Sequence, residues 1–459
     1  MTSVRVARPP VRIVAAIAVE TAAAIAVETA AVAAAAGTVV GAIADPAISL
    51  TTLSSGLRIV SEHVPGALSV SAGVWVGVGA RDEPQAICGV SHFLEHLLFK
   101  GTHRRSAREI ATTVDRVGGD MNAFTAKEFT AYVCRVPAAH VELSLDVLGD
   151  VITMPALRDA DVESERQVIL EELAMDEDTP DDTAYRLFSA ALFPQHPLGR
   201  ETAGEVDTVR SIKPDDVRDF FGLNYRAGNM VLALAGPVGH ADVVAFAEQH
   251  FGALSAGKAE FERERPSDAV EAVAGEQRDC EQVHLLVGCR ALERTDPGRE
   301  ALDMVMHALG GGPSSRLFQT IREERGLTYS TYASASAYAD AGLVGAYAAT
   351  NPETAAEVLG LLEAEINAVI RDGITDDELA IAKGYLTGAF AMGFEGTGSR
   401  SERLGSSFTN YGHIRPVDEQ VARWQAVSLA DTRNVIERVF VNPRVRCAVG
   451  PVDLKSLLA

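Results

Sequence analysis

At 459 residues the chain is too long for one hydrophobic core and suits two or more domains. Its net charge of −22 at pH 7 argues against nucleic acid, whose phosphates it repels, and is compatible with basic peptides as ligands. The five cysteines (Cys88, Cys134, Cys280, Cys289 and Cys447) are odd in number and form no Cys-x-x-Cys pair, so they read as reduced thiols of a cytoplasmic protein.

Residues 1–46 are compositionally foreign to the rest. The octet AIAVETAA at 16–23 recurs at 24–31, and an alanine-rich tract runs on to Ala44. The charge-free run 29–44 is shorter than the roughly 20 residues that span a bilayer, so no stable membrane span is expected. Arg5, Arg8 and Arg12 before an apolar stretch resemble an export signal, the alternative to a cytoplasmic location, but Glu20 and Glu28 interrupt the apolar region.

From Leu50 the pattern is that of an α/β domain. Residues 57–62 and 69–78 alternate as strands around the Pro65-Gly66 turn. A helix follows within 89–101, GVSHFLEHLLFKG, whose apolar residues at 90, 93, 94, 97 and 98 make one stripe. Three titratable groups, His92, Glu95 and His96, gather on another face, and burying them without partners would cost several kcal/mol. Histidines at i and i+4 project the same way and can share a metal ion, with the intervening carboxylate placed as a general base. A second helix is expected at 107–117, ended by Gly118-Gly119. Residues 122–136 read as one strand, 159–176 and 215–221 as helices, and 230–235 as a strand. The segment 256–278 reads as a linker between a first half, 47–255, and a second half, 279–459.

The second half repeats the first. Gly236-Pro-Val and Gly450-Pro-Val each follow a strand, and a helix at 301–309 stands where the histidine helix stands. At the positions of His92, Glu95 and His96 it carries Val305, Ala308 and Leu309, so it cannot hold a metal. The glycine-rich loop 309–319 precedes a helix at 320–325, but no Gly-Lys-Ser/Thr follows to cradle phosphate. A strand opens at 327–331.

A catalytic zinc site wants a third protein ligand. The helix at 159–176, with an apolar row at Val168, Ile169 and Leu173, offers Glu165 and Glu172, seven apart and on one face; Glu171 is turned away by some 100°. Taken together, HFLEHLLFKGT at 92–102, NAFT at 122–125 and ERQVILEE at 165–172 resemble the pitrilysin family of zinc peptidases, nearest to its mitochondrial processing peptidase branch and bacterial relatives. The resemblance covers about residues 50–450. It implies two homologous α/β halves, each a mainly antiparallel sheet packed with helices, together forming half of a clamshell chamber. It implies one Zn²⁺ per chain on His92, His96 and Glu172, with Glu95 as the base and Glu165 orienting a ligand. Asn122, Ala123 and Phe124 would form an edge strand that pairs with a peptide substrate. Arg322 would grip substrate and Tyr329 would donate to the developing oxyanion. Because family chambers have four such domains, a homodimer is implied. The reading is a zinc endopeptidase acting on extended or unstructured peptides; the alternative is a non-catalytic scaffold or partner subunit of the same fold.

Overall fold

The computed structural model describes residues 39–41, 45 and 47–458, so most of the alanine-rich extension lies outside the described residues. Its last part is not all separate from the domain: β1 (Val39–Gly41) pairs antiparallel with β2 (Ile48–Thr52) at one edge of the first sheet. The first sheet continues with β3 (Arg58–His63), β4 (Ser69–Val76), β5 (Asp120–Thr125), β6 (Thr130–Pro137) and β7 (Met230–Gly236). Its order is β1-β2-β3-β7-β4-β6-β5, leaving β5 outermost. Helices α1 (Val90–Leu98) and α2 (Ala107–Asp115) lie between β4 and β5. After β6 come α3 (Val141–Thr153), α4 (Asp159–Glu177), α5 (Pro180–Leu192), α6 (Val206–Ser211) and α7 (Pro214–Asn224), and α8 (His240–Phe251) follows β7.

The second sheet contains β8 (Val273–Gln277), β9 (Val283–Ala291), β10 (Thr328–Ala337), β11 (Gly342–Thr350) and β12 (Arg444–Gly450), in the order β10-β11-β9-β12-β8. Read from the other edge, that order is β8-β12-β9-β11-β10, which matches β3-β7-β4-β6-β5 strand for strand. The pairing sense matches too: β8–β12 and β3–β7 are parallel and the other neighbours antiparallel. Helix α9 (Arg299–Gly310) sits between β9 and β10 as α1 sits between β4 and β5. Val305, Ala308 and Leu309 are buried there, so the counterpart of the histidine helix has become core.

Two readings are corrected. The single strand expected over 122–136 is a hairpin, because Ala126 N–H donates to Phe129 O (2.8 Å) and turns the chain back. The linker expected over 256–278 ends in β8, which pairs with β12 and is the counterpart of β3.

Each sheet is covered on one face by helices of its own half. The other face is covered by a helix of the opposite half. Helix α5 presses Ala184, Phe188 and Leu192 onto Leu286, Tyr347, Cys447 and Val449 of the second sheet. In return α12 (Thr397–Asn410), which follows α10 (Ala355–Asp372) and α11 (Asp376–Gly393), presses Leu404 and Phe408 onto Val60, Trp75, Val231 and Ala233. Gly405 permits the approach, since a Cβ there would overlap the Trp75 indole. Arg58 Nη1 donates to Phe408 O (2.9 Å) and Arg400 pairs with Glu62 along the same seam. The chain closes through α13 (Val417–Ala426) and α14 (Leu429–Val439) before β12.

Candidate metal centre

Helix α1 is fixed from its start. Gly89, at φ +97°, turns the chain into it in a conformation side chains rarely adopt, and a Cβ there would lie 2.6 Å from Ala203 O. The buried carboxylate of Glu83 then caps the helix, accepting from Gly89 N–H (2.6 Å) and Ser91 N–H (2.7 Å). Val90, Phe93, Leu94, Leu97 and Leu98 are all buried. At about 1.5–3 kcal/mol for each large side chain, that stripe sets the rotation of the helix, while the cap fixes where it starts. His92, Glu95 and His96 are thereby presented together, each half-buried.

Helix α4 crosses α1 with Val162, Glu165, Ile169 and Leu173 on its buried side. Val168, expected in the apolar row, is turned outward (39% exposed) because the stripe runs through Val162 instead. Glu172 Oε2 lies 3.3 Å from His96 Nε2 and 3.9 Å from His92 Nε2. One donor atom from each of the three residues falls within 4.8 Å of the others. Tetrahedral ligands about 2.0–2.1 Å from one zinc ion would be roughly 3.3 Å apart, so the set fits zinc after small side-chain adjustments. Glu171 is exposed, as its helical phase requires.

The electrostatics suit a cation. Burial, then the neighbouring His96, pushes His92 down to about 4, keeping its imidazole neutral and able to ligate. Burial also lowers His96, but hydrogen bonds and charge from Glu172, then Glu165 and Glu95, outweigh it and leave the net shift upward. Behind His96, Glu165 Oε2 faces Nδ1 at 3.2 Å and its other oxygen pairs with Lys100. Glu95 is raised above the usual carboxylate range by burial, while the Thr125 hydroxyl donates to its Oε2 (2.6 Å).

Thr125 ends β5, so the outermost strand touches the cluster directly. Asn122, Ala123 and Phe124 lie on that strand: Ala123 is buried, Asn122 and Phe124 are exposed, and Asn122 Oδ1 accepts from Ala123 N–H (2.9 Å). Arg322 lies in a π-helical turn, Phe318–Glu323, where a short α-helix was expected, with its guanidinium 4.7 Å from the Phe318 ring and 4.8 Å from that of Tyr329. Tyr329 is 79% exposed. These contacts bring Arg322 and Tyr329 to each other; they do not bring them to the histidine cluster. Glu83, Lys100 and Thr125 were not assigned from the sequence. Lys100 and Thr125 sit within the recognised motifs, whereas Glu83 had no signal beyond lying six residues before Gly89, which opens the helix.

Comparison with known proteins adds an independent line. Residues 58–206 match the family model described as Insulinase (Peptidase family M16), and residues 211–386 match Peptidase M16 inactive domain. The chain is 42% identical over 413 residues to an uncharacterized zinc protease of Mycobacterium leprae, covering 89% of this chain and 93% of that protein. It is 42% identical over 416 residues to one of Streptomyces coelicolor, covering 88% and 90%. With the Bacillus subtilis zinc protease YmxG the identity is 34% over 400 residues, covering 87% and 97%. Among solved structures, a protease from Helicobacter pylori superposes with a TM-score of 0.82 at 22% identity, covering 88% of this chain and 99% of that one. A peptidase M16 inactive domain from Pseudomonas fluorescens does so with the same score at 20% identity, covering 88% and 98%.

Proposed function

Since the chain belongs to the insulinase (M16) family of peptidases, we propose that it is a zinc-dependent endopeptidase acting on extended or unstructured peptides. The observation that carries this is the convergence of His92, His96 and Glu172 donors beside a carboxylate, Glu95, that binds none of them and is anchored by Thr125. His92, His96 and Glu172 hold one Zn²⁺ per chain, and Glu165 with Lys100 keeps the His96 ring oriented from behind. Zinc, when bound, supplies Lewis acidity that acidifies water and polarises a carbonyl. Glu95 takes the proton of the attacking water and passes it to the leaving amine. The substrate backbone lies along the free edge of β5 at Asn122, Ala123 and Phe124, so main-chain hydrogen bonds supply affinity. Arg322 holds the substrate and Tyr329 donates to the oxyanion, both presented by the second half of the chamber.

Two such halves enclose only half a chamber, so the active species is a homodimer; sedimentation at working concentration should show twice the chain mass, and a monomer active at the full rate would refute it. The unpaired cysteines, four of them buried, suit a cytoplasmic location. Among the described residues, no helix is long and apolar enough to cross a membrane. The reading as a whole is tested by metal analysis together with hydrolysis of a quenched basic peptide. One zinc per chain, loss of cleavage with a chelator and recovery with added zinc are expected. A purified protein that binds no zinc and cleaves nothing is a scaffold of this fold.

A further inference from the structure

The two hairpins that correspond by duplication, β5–β6 and β10–β11, meet at their tips. Glu128, in the first tip, has a side chain only 2% exposed, and its carboxylate receives donors from three separate parts of the chain. Arg81, before α1, donates from Nη1 to Oε1 (2.6 Å). Arg294, after β9, pairs with Oε2, and the N–H of Ala339 in the second tip lies 3.1 Å from both oxygens. Arg263, from the segment joining the halves, donates through Nη2 to the Glu128 main-chain carbonyl (2.9 Å), with Nη1 3.7 Å from Oε1. The charges balance. Arg263 is bidentate on Asp82 (2.8 Å twice), and Arg81 Nη2 reaches Asp340 in the second tip (2.7 Å) and the Glu264 carbonyl (2.8 Å).

A buried network of this kind is seldom more stabilising than apolar packing of the same volume; what it fixes is geometry, because every donor must meet its acceptor at once. The geometry fixed here is that of β5. Glu128 lies three residues beyond Thr125, which holds Glu95, and in the turn that ends the strand carrying Asn122, Ala123 and Phe124. We propose that Glu128 is a positioning residue for peptide hydrolysis: it pins the tip of the substrate-pairing hairpin to the second half and so sets the register and depth at which peptide is laid along β5. This rests on the edge-strand reading above.

The test uses full-length, zinc-loaded enzyme and two quenched peptides, a short one confined to the zinc site and one of about 20 residues that pairs along β5. Arg294→Met removes the one charged side-chain tie to Glu128 from the second half, while Arg81 and the Ala339 N–H keep the carboxylate paired. It should retain its zinc and stay folded with a modestly lower melting temperature, raise KM for the long peptide about tenfold with kcat changed less than about threefold, and leave the short peptide's KM little altered. Amides of 120–130 should exchange faster with solvent. Arg294→Lys, which restores a cation, should recover the long-peptide KM, and Glu128→Gln should show the same selective loss as Arg294→Met. A wild-type enzyme that cleaves while Arg294→Met leaves the long-peptide KM unchanged overturns the positioning role. So does a loss of zinc, melting temperature and both peptides together, which marks the cluster as fold stabilisation alone. A wild-type enzyme that cleaves neither peptide removes the peptidase reading first and this one with it.

Discussion

At the scale of single residues, the chemistry turns on which oxygen or nitrogen faces the point where His92, His96 and Glu172 converge. Glu95 is beside that point and belongs to no ligand set, so Glu95→Gln should keep about one zinc per chain while kcat falls at least about a hundredfold, as loss of a general base does. Metal analysis and single-turnover kinetics on the same sample check it; a zinc-free variant, or one with normal turnover, would give Glu95 another role. The adjacent glutamates of α4 separate more sharply. Glu172 Oε2 is 3.3 Å from His96 Nε2, whereas Glu171 is exposed. Glu172→Gln should therefore lose zinc affinity by about tenfold or more, and Glu171→Gln should titrate like wild type. The two histidines were legible because a helix converts an i, i+4 spacing into one direction; Glu172 was singled out through the family resemblance, with its seven-residue spacing from Glu165 in agreement. Thr125 and Lys100 reach the site, and Glu83 the start of its helix, by side-chain contacts that no periodicity encodes.

At the scale of elements, α1 was legible because its five apolar positions obey one helical stripe, and all five are buried. Its cap was not. Glu83 is held near the helix by the intervening turn and not by a position in a capping motif, so no Ser, Thr or Asp at the start announced it. Burial, outweighing the downward pull of the Gly89 and Ser91 N–H groups, leaves this carboxyl raised to about 7. Glu83→Ala would leave those two N–H groups buried without acceptors, which costs about 1–3 kcal/mol. A lower melting temperature is expected, along with weaker zinc binding, because the helix start and both histidines move together. Zinc titration of the variant decides it; unaltered affinity would mean the apolar stripe alone holds the histidines. The hairpin at 120–137 was misread as one strand because its turn, Ala126 to Phe129, contains neither glycine nor proline. What holds that turn lies elsewhere: Arg81 N–H donates to Lys127 O (2.7 Å) and Ala80 N–H to Ala126 O (3.1 Å).

At the scale of the molecule, duplication was legible from the repeated Gly-Pro-Val ends and the helix that lost its histidines, and the two sheets repeat the same strand order. The second half's proposed contribution to chemistry is tested by Tyr329→Phe: on the proposal that Tyr329 donates to the oxyanion, losing that hydrogen bond, worth about 2.7–4 kcal/mol, should lower kcat about a hundredfold or more with zinc and KM little changed. The exchange of α5 and α12 was not legible, since an amphipathic helix in sequence does not say which of two similar sheets it covers. That exchange makes the halves interdependent. A chain ending near residue 256 would keep the three ligands but lack α12, exposing Ile48, Val60, Trp75 and Val231, all buried in the intact protein. At about 1.5–3 kcal/mol per large side chain, the loss is comparable to the whole 5–15 kcal/mol that holds a typical domain folded. The isolated first half should therefore aggregate or melt well below the intact chain and bind zinc poorly. Co-expression with residues 257–459 should restore a soluble complex with zinc and cleavage, because each fragment supplies the helix the other lacks. Circular dichroism melts, zinc content and peptide turnover of the fragment alone and of the pair make the comparison. A first half that is stable and zinc-loaded by itself would show that α12 is only a cover, and that the duplicated halves fold independently.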